Sequence, residues 1–383
     1  MTVLAAMLLL GASWEWCGHA YATTPTEEVT TEAAVAVTAE GVAERVEESV
    51  EEEPQLDVVG LIFEHISDSY SWHIATVNGH HIEIPLLCIV RDEAGKWHAF
   101  SSSKVAHGAT YEGFFVNRGE KWDGKLVAHG SNGELYRPLD LSITKNAAAV
   151  MFNSLVVVVL ILGVAGWYRK REEKEPYAVP RGFVGAVEML TMSIVDDVIR
   201  PSVGKDHRRY TPYLLTAFYF IFVSNLLGLV PIFPGGANVT GNIAVTLVLA
   251  LATTFAVNVF GNKEYWKEIL WPDVPVWMKV PIPLMPVIEL FGIISKPFAL
   301  TIRLFANILA GHTVLIALSC LVFITVSMGP AMNGVMTVFS VLLSVFMMVL
   351  ELLVAYIQAY VFTMLSSVFI GLSRKEHHAT HTK

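Results

Sequence analysis

The chain has 383 residues, 54% of them apolar and 16% charged, with a formal net charge of −9. That balance is a membrane composition and excludes the two or three soluble domains that length alone would allow. The charge says little about partners, because ten Glu between residues 27 and 53 account for it.

From the N-terminus, residues 1–22 carry an apolar run and end in Ala20-Tyr21-Ala22, a small-x-small cleavage pattern that predicts a signal peptide. Residues 23–53 are Thr, Ala, Val and Glu with almost no large side chains. Such a stretch cannot bury enough surface to offset its ordering entropy and reads as a disordered acidic leader. Over 54–145 short alternating runs such as His81-Ile82-Glu83-Ile84 are separated by Gly-containing breaks, which predicts a small β-rich outer domain. Seven His fall there, but they are scattered among aromatics without partner Cys, as exposed strand residues would be. With residues 1–22 removed only Cys88 and Cys320 remain, and no disulfide framework is expected.

The membrane domain, 146–373, begins with a span over 147–167, followed at once by Arg169-Lys170-Arg171. The positive-inside bias makes that end cytoplasmic and the N-terminus periplasmic. Residues 182–200 are not a span. Phe183, Val187, Leu190, Ile194 and Val198 share one face while Glu188, Asp196 and Arg200 share another, the pattern of an interfacial helix stopped by Pro201. Spans over 213–230 and 243–260 follow, and residues 213–261 contain no Asp, Glu, Lys or Arg. Later Lys/Arg-bearing connections all fall on one side of the membrane, giving five passes with residues 374–383 as a cytoplasmic tail. The fold class is therefore an all-α polytopic membrane protein with an added β-rich outer domain.

The last two apolar segments, 285–325 and 331–371, would each be about 60 Å long as helices, roughly twice the hydrocarbon thickness. They must tilt strongly, as a helical hairpin shaped to wrap something large and round would. Within them only Glu289, Lys296, Arg303 and Glu351 are formally charged, with His312 the one imidazole. An Arg in mid-membrane costs about 2.5–3.5 kcal/mol on insertion scales and should face protein or water. Lys296 reads as snorkelling to the inner interface, whereas Arg303 is too deep for that. In an antiparallel pair, residues at one height have a constant index sum. Arg303 with Gln358 and His312 with Glu351 give sums of 661 and 663, so the turn falls near 331, beside Gly329-Pro330. That register sets Arg303 level with Gln358 and lets His312 meet Glu351 roughly 13 Å further outward.

The run from Ser295-Lys296-Pro297-Phe298 through Arg303-Leu304-Phe305-Ala306-Asn307 to Ala310-Gly311-His312 resembles the signature helix of subunit a of F-type ATP synthases. Glu351 to Gln358, continuing Ala359-Tyr360-Val361-Phe362, is similar to that family's last helix, and Val223-Ser224-Asn225-Leu226-Leu227-Gly228 adds support. The resemblance covers about 151–373. It implies a non-catalytic stator subunit of the F0 sector in the bacterial inner membrane, holding two proton half-channels against a rotating c-subunit ring. Subunit b of the peripheral stalk, the rest of the synthase and the bilayer would be partners, with no cofactor and no nucleic acid. Arg303 would match the essential arginine that faces the ring, keeps its passing carboxylate ionised and blocks a direct leak. His312 and Glu351 would match the outer half-channel pair, Asn307 and Gln358 the polar neighbours, and Glu289 an inner-channel group. Many bacterial members carry the acid on the first helix and the imidazole on the second; here the two are exchanged, as in mitochondrial relatives.

Two other readings fit less well. A secondary transporter also buries charge at midplane, but such folds show internal repeats and none is visible here. A membrane anchor for the outer domain would not explain Arg303. No charged path links 54–145 to Arg303 in the sequence, so that domain is expected to lie off the ion path.

Overall fold

The computed structural model describes residues 68–77, 80–117, 119, 122–130, 133–172, 180–230, 235–270 and 284–374. The expected signal peptide, the acidic leader and the tail from residue 375 lie outside the described residues. Two compact units are present, one of 68–311 with 350–374 and one of 312–349.

The first unit opens with the β-rich part. β1 (Ser71–Val77) and β2 (His80–Pro85) form an antiparallel hairpin pairing Trp72 with Ile84. β3 (Leu87–Arg91), β4 (Trp97–Ser101), β5 (Phe114–Val116), β6 (Leu126–His129), β7 (Leu135–Tyr136) and β8 (Leu139–Asp140) make two three-stranded antiparallel sheets, ordered β4-β3-β8 and β5-β6-β7. Alternation decides which residues go inside: Cys88 and Val90 of β3 are fully buried while Leu87 and Arg91 face out. They pack with Phe100, Val105, Phe114 and Leu126, each side chain contributing about 1.5–3 kcal/mol by burial. Tyr70 joins the two sheets. Its hydroxyl donates to Asp140 Oδ2 at 2.5 Å and accepts from the Leu126 N–H at 3.3 Å.

The helices follow in chain order. α1 (Lys145–Glu172) is capped from the outer domain, where Ser69 O accepts the Lys145 N–H at 2.8 Å and Asp68 Oδ1 accepts the Asn146 N–H at 3.0 Å. α2 (Phe183–Ser193) widens into a π-helical turn over Ile194–Ile199 and continues as α3 (Arg200–Val203). Val187, Ile194 and Val198 form the buried stripe that the sequence pattern places on one face, whereas Phe183 is exposed. Pro201, expected to stop this helix, does not. It lies just after the π-helical turn, inside the continuous helical run, and the chain leaves the helix at Gly204, whose φ is 75°.

α4 (His207–Gly228), α5 (Ile243–Val259), the short α6 (Lys263–Leu270), α7 (Leu284–Ile324) and α8 (Pro330–Arg374) complete the chain. Among the described residues four helical stretches, Lys145–Lys170, Phe183–Gly228, Pro286–Ile324 and Pro330–Arg374, are long and apolar enough to cross a membrane. α5 has 17 residues and spans about 26 Å, close to the hydrocarbon thickness. α4 is central because Leu214, Phe218 and Ile221 recur at helical spacing and are fully buried. They share one core with Ile194, Ala250, Leu300, Leu304, Ala359, Phe362 and Ile370. Arg374, assigned by sequence to the tail, is the last residue of α8. Its guanidinium pairs with Asp206 Oδ2 at 2.5 Å and donates to Asn262 Oδ1 at 2.9 Å and Phe260 O at 3.1 Å.

In the second unit α7 ends in a 3-10 turn, Thr325–Met328, and Gly329 with φ 97° sends the chain into α8. Ser340 Oγ donates to Leu318 O. Cys88 is a buried free thiol.

Candidate functional site

α7 is 41 residues long, about 60 Å, and Arg303 stands near its middle. Its partition of faces follows from sequence. Leu300, Leu304 and Ile308 turn into the protein, while Phe298, Ile302, Arg303, Ala306, Asn307 and Ala310 are exposed. Arg303 and Asn307 therefore project from one face, four residues apart, among apolar side chains. Among the described residues no hydrogen bond or ion pair engages the Arg303 guanidinium.

α8 presents the opposite situation. Glu351 and Gln358 are 4% and 8% exposed, so a carboxyl and a carboxamide are held inside the chain two turns apart. Glu351 lies against Gly311 of α7. A Cβ built on Gly311 would sit 2.9 Å from Glu351 Oε1 and 3.1 Å from its carboxyl carbon, so the missing side chain makes the room the carboxyl occupies. Gly311 precedes His312, which is half-buried in the other unit.

Two other charged positions precede Arg303 on α7. Lys296 Nζ lies over the Phe369 ring, 5.6 Å from its centroid, a cation–π contact that shields an ammonium expected to snorkel. Glu289 is half-buried. It acts on Tyr265 of α6, whose phenol is pushed up by burial and, to a lesser degree, by the Glu289 charge.

A further polar set was only partly visible in the sequence. Asn225 of α4 is 2% exposed, and its Nδ2 donates to Ala355 O at 3.1 Å while its Oδ1 accepts from Thr240 Oγ1 at 2.7 Å. Next to it Ser224 Oγ accepts from Asn153 Nδ2 of α1 at 3.1 Å. The signal was two consecutive polar residues inside an uncharged span, which bilayers penalise unless protein answers them. Elsewhere Tyr213, Thr253 and Ser366 link α4, α5 and α8 through hydroxyls at 2.9 and 3.3 Å.

The fold and these groups define a multi-pass membrane protein that buries polar groups along one helix and offers a cation on the face of another. A family model described as ATP synthase A chain matches residues 150–371, and one described as a domain of unknown function matches 61–146. The chain belongs to the ATP synthase A chain family. Relatives named ATP synthase subunit a include one from Chlorobium phaeobacteroides, 37% identical over 317 residues, covering 76% of this chain and 88% of the relative. Another, from Pelodictyon phaeoclathratiforme, is 40% identical over 262 residues, 65% of this chain and 73% of the relative. A third, from Myxococcus xanthus, is 38% identical over 269 residues, 67% of this chain and 82% of the relative.

Proposed function

We propose that this chain is the stator subunit a of the F0 sector of a bacterial ATP synthase, with its N-terminus periplasmic and its C-terminus cytoplasmic. The observation that carries the reading is Arg303, a cation exposed among apolar side chains near the middle of a membrane helix. Such a charge is costly against lipid, so the face it sits on calls for an anionic partner within the membrane. A ring of c subunits, each bringing one carboxyl group past Arg303, meets that demand. A fixed cation in low dielectric favours the ionised form of an approaching acid, which lets the carboxylate release its proton on one side of Arg303 and take one up on the other.

Two offset half-channels then reach the ring from opposite sides. His312, Glu351 and Gln358 serve the outer one, with Asn307 beside the arginine and Glu289 at the inner one. Neither half-channel need touch the other, because Arg303 stands between them and repels a migrating proton. The chain itself makes or breaks no covalent bond apart from those to protons. Subunit b and the remaining synthase subunits hold it still while the ring turns.

The test is Arg303→Ala in the intact complex, reconstituted in vesicles. ATP-driven acidification and ATP synthesis are expected to be abolished while the complex still purifies with its ring. Pumping at the unaltered rate by the assembled variant would overturn the reading.

A further inference from the structure

We infer that Trp72 of the outer domain is a positioning residue for the outer end of the proton path, acting through the connection between α4 and α5. The inference rests on the stator reading above for what the path carries, but the geometry stands by itself.

Trp72 is 6% exposed although it lies on a two-stranded hairpin, and what covers it is membrane-domain structure. It falls in one apolar cluster with Ala149 of α1 and with Ala237 and Val239 of the α4–α5 connection. Ile84, its cross-strand partner, belongs to the same cluster, as do Phe220 and Val245 at its edge. An indole is the largest apolar body available to a hairpin, and burial of this kind fixes whatever it covers. Within itself the connection is held by short-range bonds, such as Asn242 N–H to Val239 O at 3.2 Å and Gly241 N–H to Asn238 Oδ1 at 2.8 Å. These shape the turn without fixing where it sits.

The next residue after Val239 carries the consequence. Thr240 is 1% exposed and donates to Asn225, which in turn donates to Ala355 O of α8. Ala355 lies four residues after Glu351 and three before Gln358. Trp72 thus stands at one end of a continuous packed and hydrogen-bonded series that ends on the α8 backbone between the two buried polar groups. The outer domain supplies no proton-carrying group to this series. Its contribution is to hold the connection still, so that Thr240 keeps Asn225 aimed at Ala355. A coupling of this kind through packed side chains changes the far end by a few-fold to some tenfold when broken.

The experiment uses the whole synthase in membrane vesicles. Trp72→Ala is expected to lower ATP-driven pumping about threefold to tenfold in assembled complexes, while Trp72→Phe, which keeps a ring in the cluster, restores most of it. Thr240→Val is expected to show a loss of its own. Combining it with Trp72→Ala is expected to add nothing beyond the larger single loss, because both act on one series. Independently of turnover, Val239→Cys is expected to resist maleimide labelling beside Trp72 and to label at least about tenfold faster beside Trp72→Ala. Should Trp72→Ala fail to assemble, Trp72→Leu replaces it with the same expected pattern. Assembled Trp72→Ala or Trp72→Leu complexes that pump at the unaltered rate would overturn the inference, as would losses that multiply with Thr240→Val, or a protected Val239→Cys. The outcome is separable from failure of the stator reading, which shows as pumping by Arg303→Ala and leaves the labelling result intact.

Discussion

The outer domain and the α7–α8 pair treat charge in opposite ways. In the outer domain three polar side chains are answered inside the chain: Tyr70 by Asp140, Asp92 by Tyr136, and His98, through Nδ1, by Glu112. On α7, Arg303 is turned outward into an apolar face with no partner among the described residues. A region that answers such groups from within needs no partner for them. One that leaves a cation on a lipid-depth surface is half of an interface, and the missing half has to supply the anion. Unpairing one of these groups should therefore act on stability in the first region, whereas a change at Arg303 should act on transport in the second.

The largest expected effect tests whether Arg303 needs more than charge. Arg303→Lys preserves a cation, yet an ammonium is compact, strongly hydrated and titrates readily when buried, and it lacks the planar fork that meets a carboxylate squarely. Assembled Arg303→Lys complexes are expected to lose ATP-driven pumping almost as fully as Arg303→Ala ones. Robust pumping by the lysine variant would reduce the role of Arg303 to a point charge.

Next comes the outer pair. If the two side chains work as the pair proposed above, His312→Glu leaves two acids whose repulsion holds one proton too tightly, and is expected to remove most pumping. Adding Glu351→His restores one acid and one base with the helices exchanged. The double variant should retain clearly more pumping than His312→Glu alone. Equal loss in both would show that the side chains do not act as a pair.

A smaller effect is expected at Gly311. Its substitution by Ala brings a methyl to 2.9 Å from Glu351 Oε1, and the far end of a flexible side chain can move aside at little cost. Assembly should be unchanged while pumping falls several-fold, because the displaced carboxyl no longer sits where the path needs it. Unaltered pumping in Gly311→Ala would mean that the seat of Glu351 does not matter.

These three sites differ in how far the sequence announces them. Arg303, Glu351 and His312 stand out because charged and imidazole side chains are rare inside long apolar segments. The spans and the β-rich outer part are legible for the same reason, since hydropathy and period-2 alternation are local signals. Gly311 is silent until Glu351 is seen against it, for a glycine announces only that a side chain is missing. Asn225 shows as a polar residue in an apolar span, but its acceptor is a backbone carbonyl 130 residues away. Pro201 misleads, because a proline reads as a stop whereas here it lies inside a helical run that continues from the π-helical turn. Trp72 carries no local sign that its cover is the α4–α5 connection.

The smallest effect belongs to the Tyr70 bridge of the outer domain and should leave proton transport alone. Tyr70→Phe keeps the ring in the core and deletes the hydroxyl that bridges Asp140 and the Leu126 N–H. Asp140 is half-buried and also accepts from the Ser142 N–H at 2.9 Å, so it remains partly answered, whereas the Leu126 N–H is left without an acceptor in the core. The cost is about 1–2 kcal/mol to the outer domain. Burial, and then the bond to Asp140, raise the Tyr70 phenol above its ordinary value of 10. A raised value means that the unfolded chain loses its proton first. The stability this group contributes is therefore complete below pH 10 and declines as pH climbs from there toward the folded value. Burial likewise pushes the Cys88 thiol up to about 11 from 9.0, so some alkaline loss begins earlier and persists in the variant. Pulse proteolysis of the intact complex across a urea gradient, at pH 8 and again above pH 10, reads both effects. The variant should be cleaved at lower urea at pH 8, and its further loss above pH 10 should be smaller than that of the unaltered protein. An identical alkaline loss in the two would show that Tyr70 ionisation does not limit the domain, and that Cys88 accounts for the whole slope.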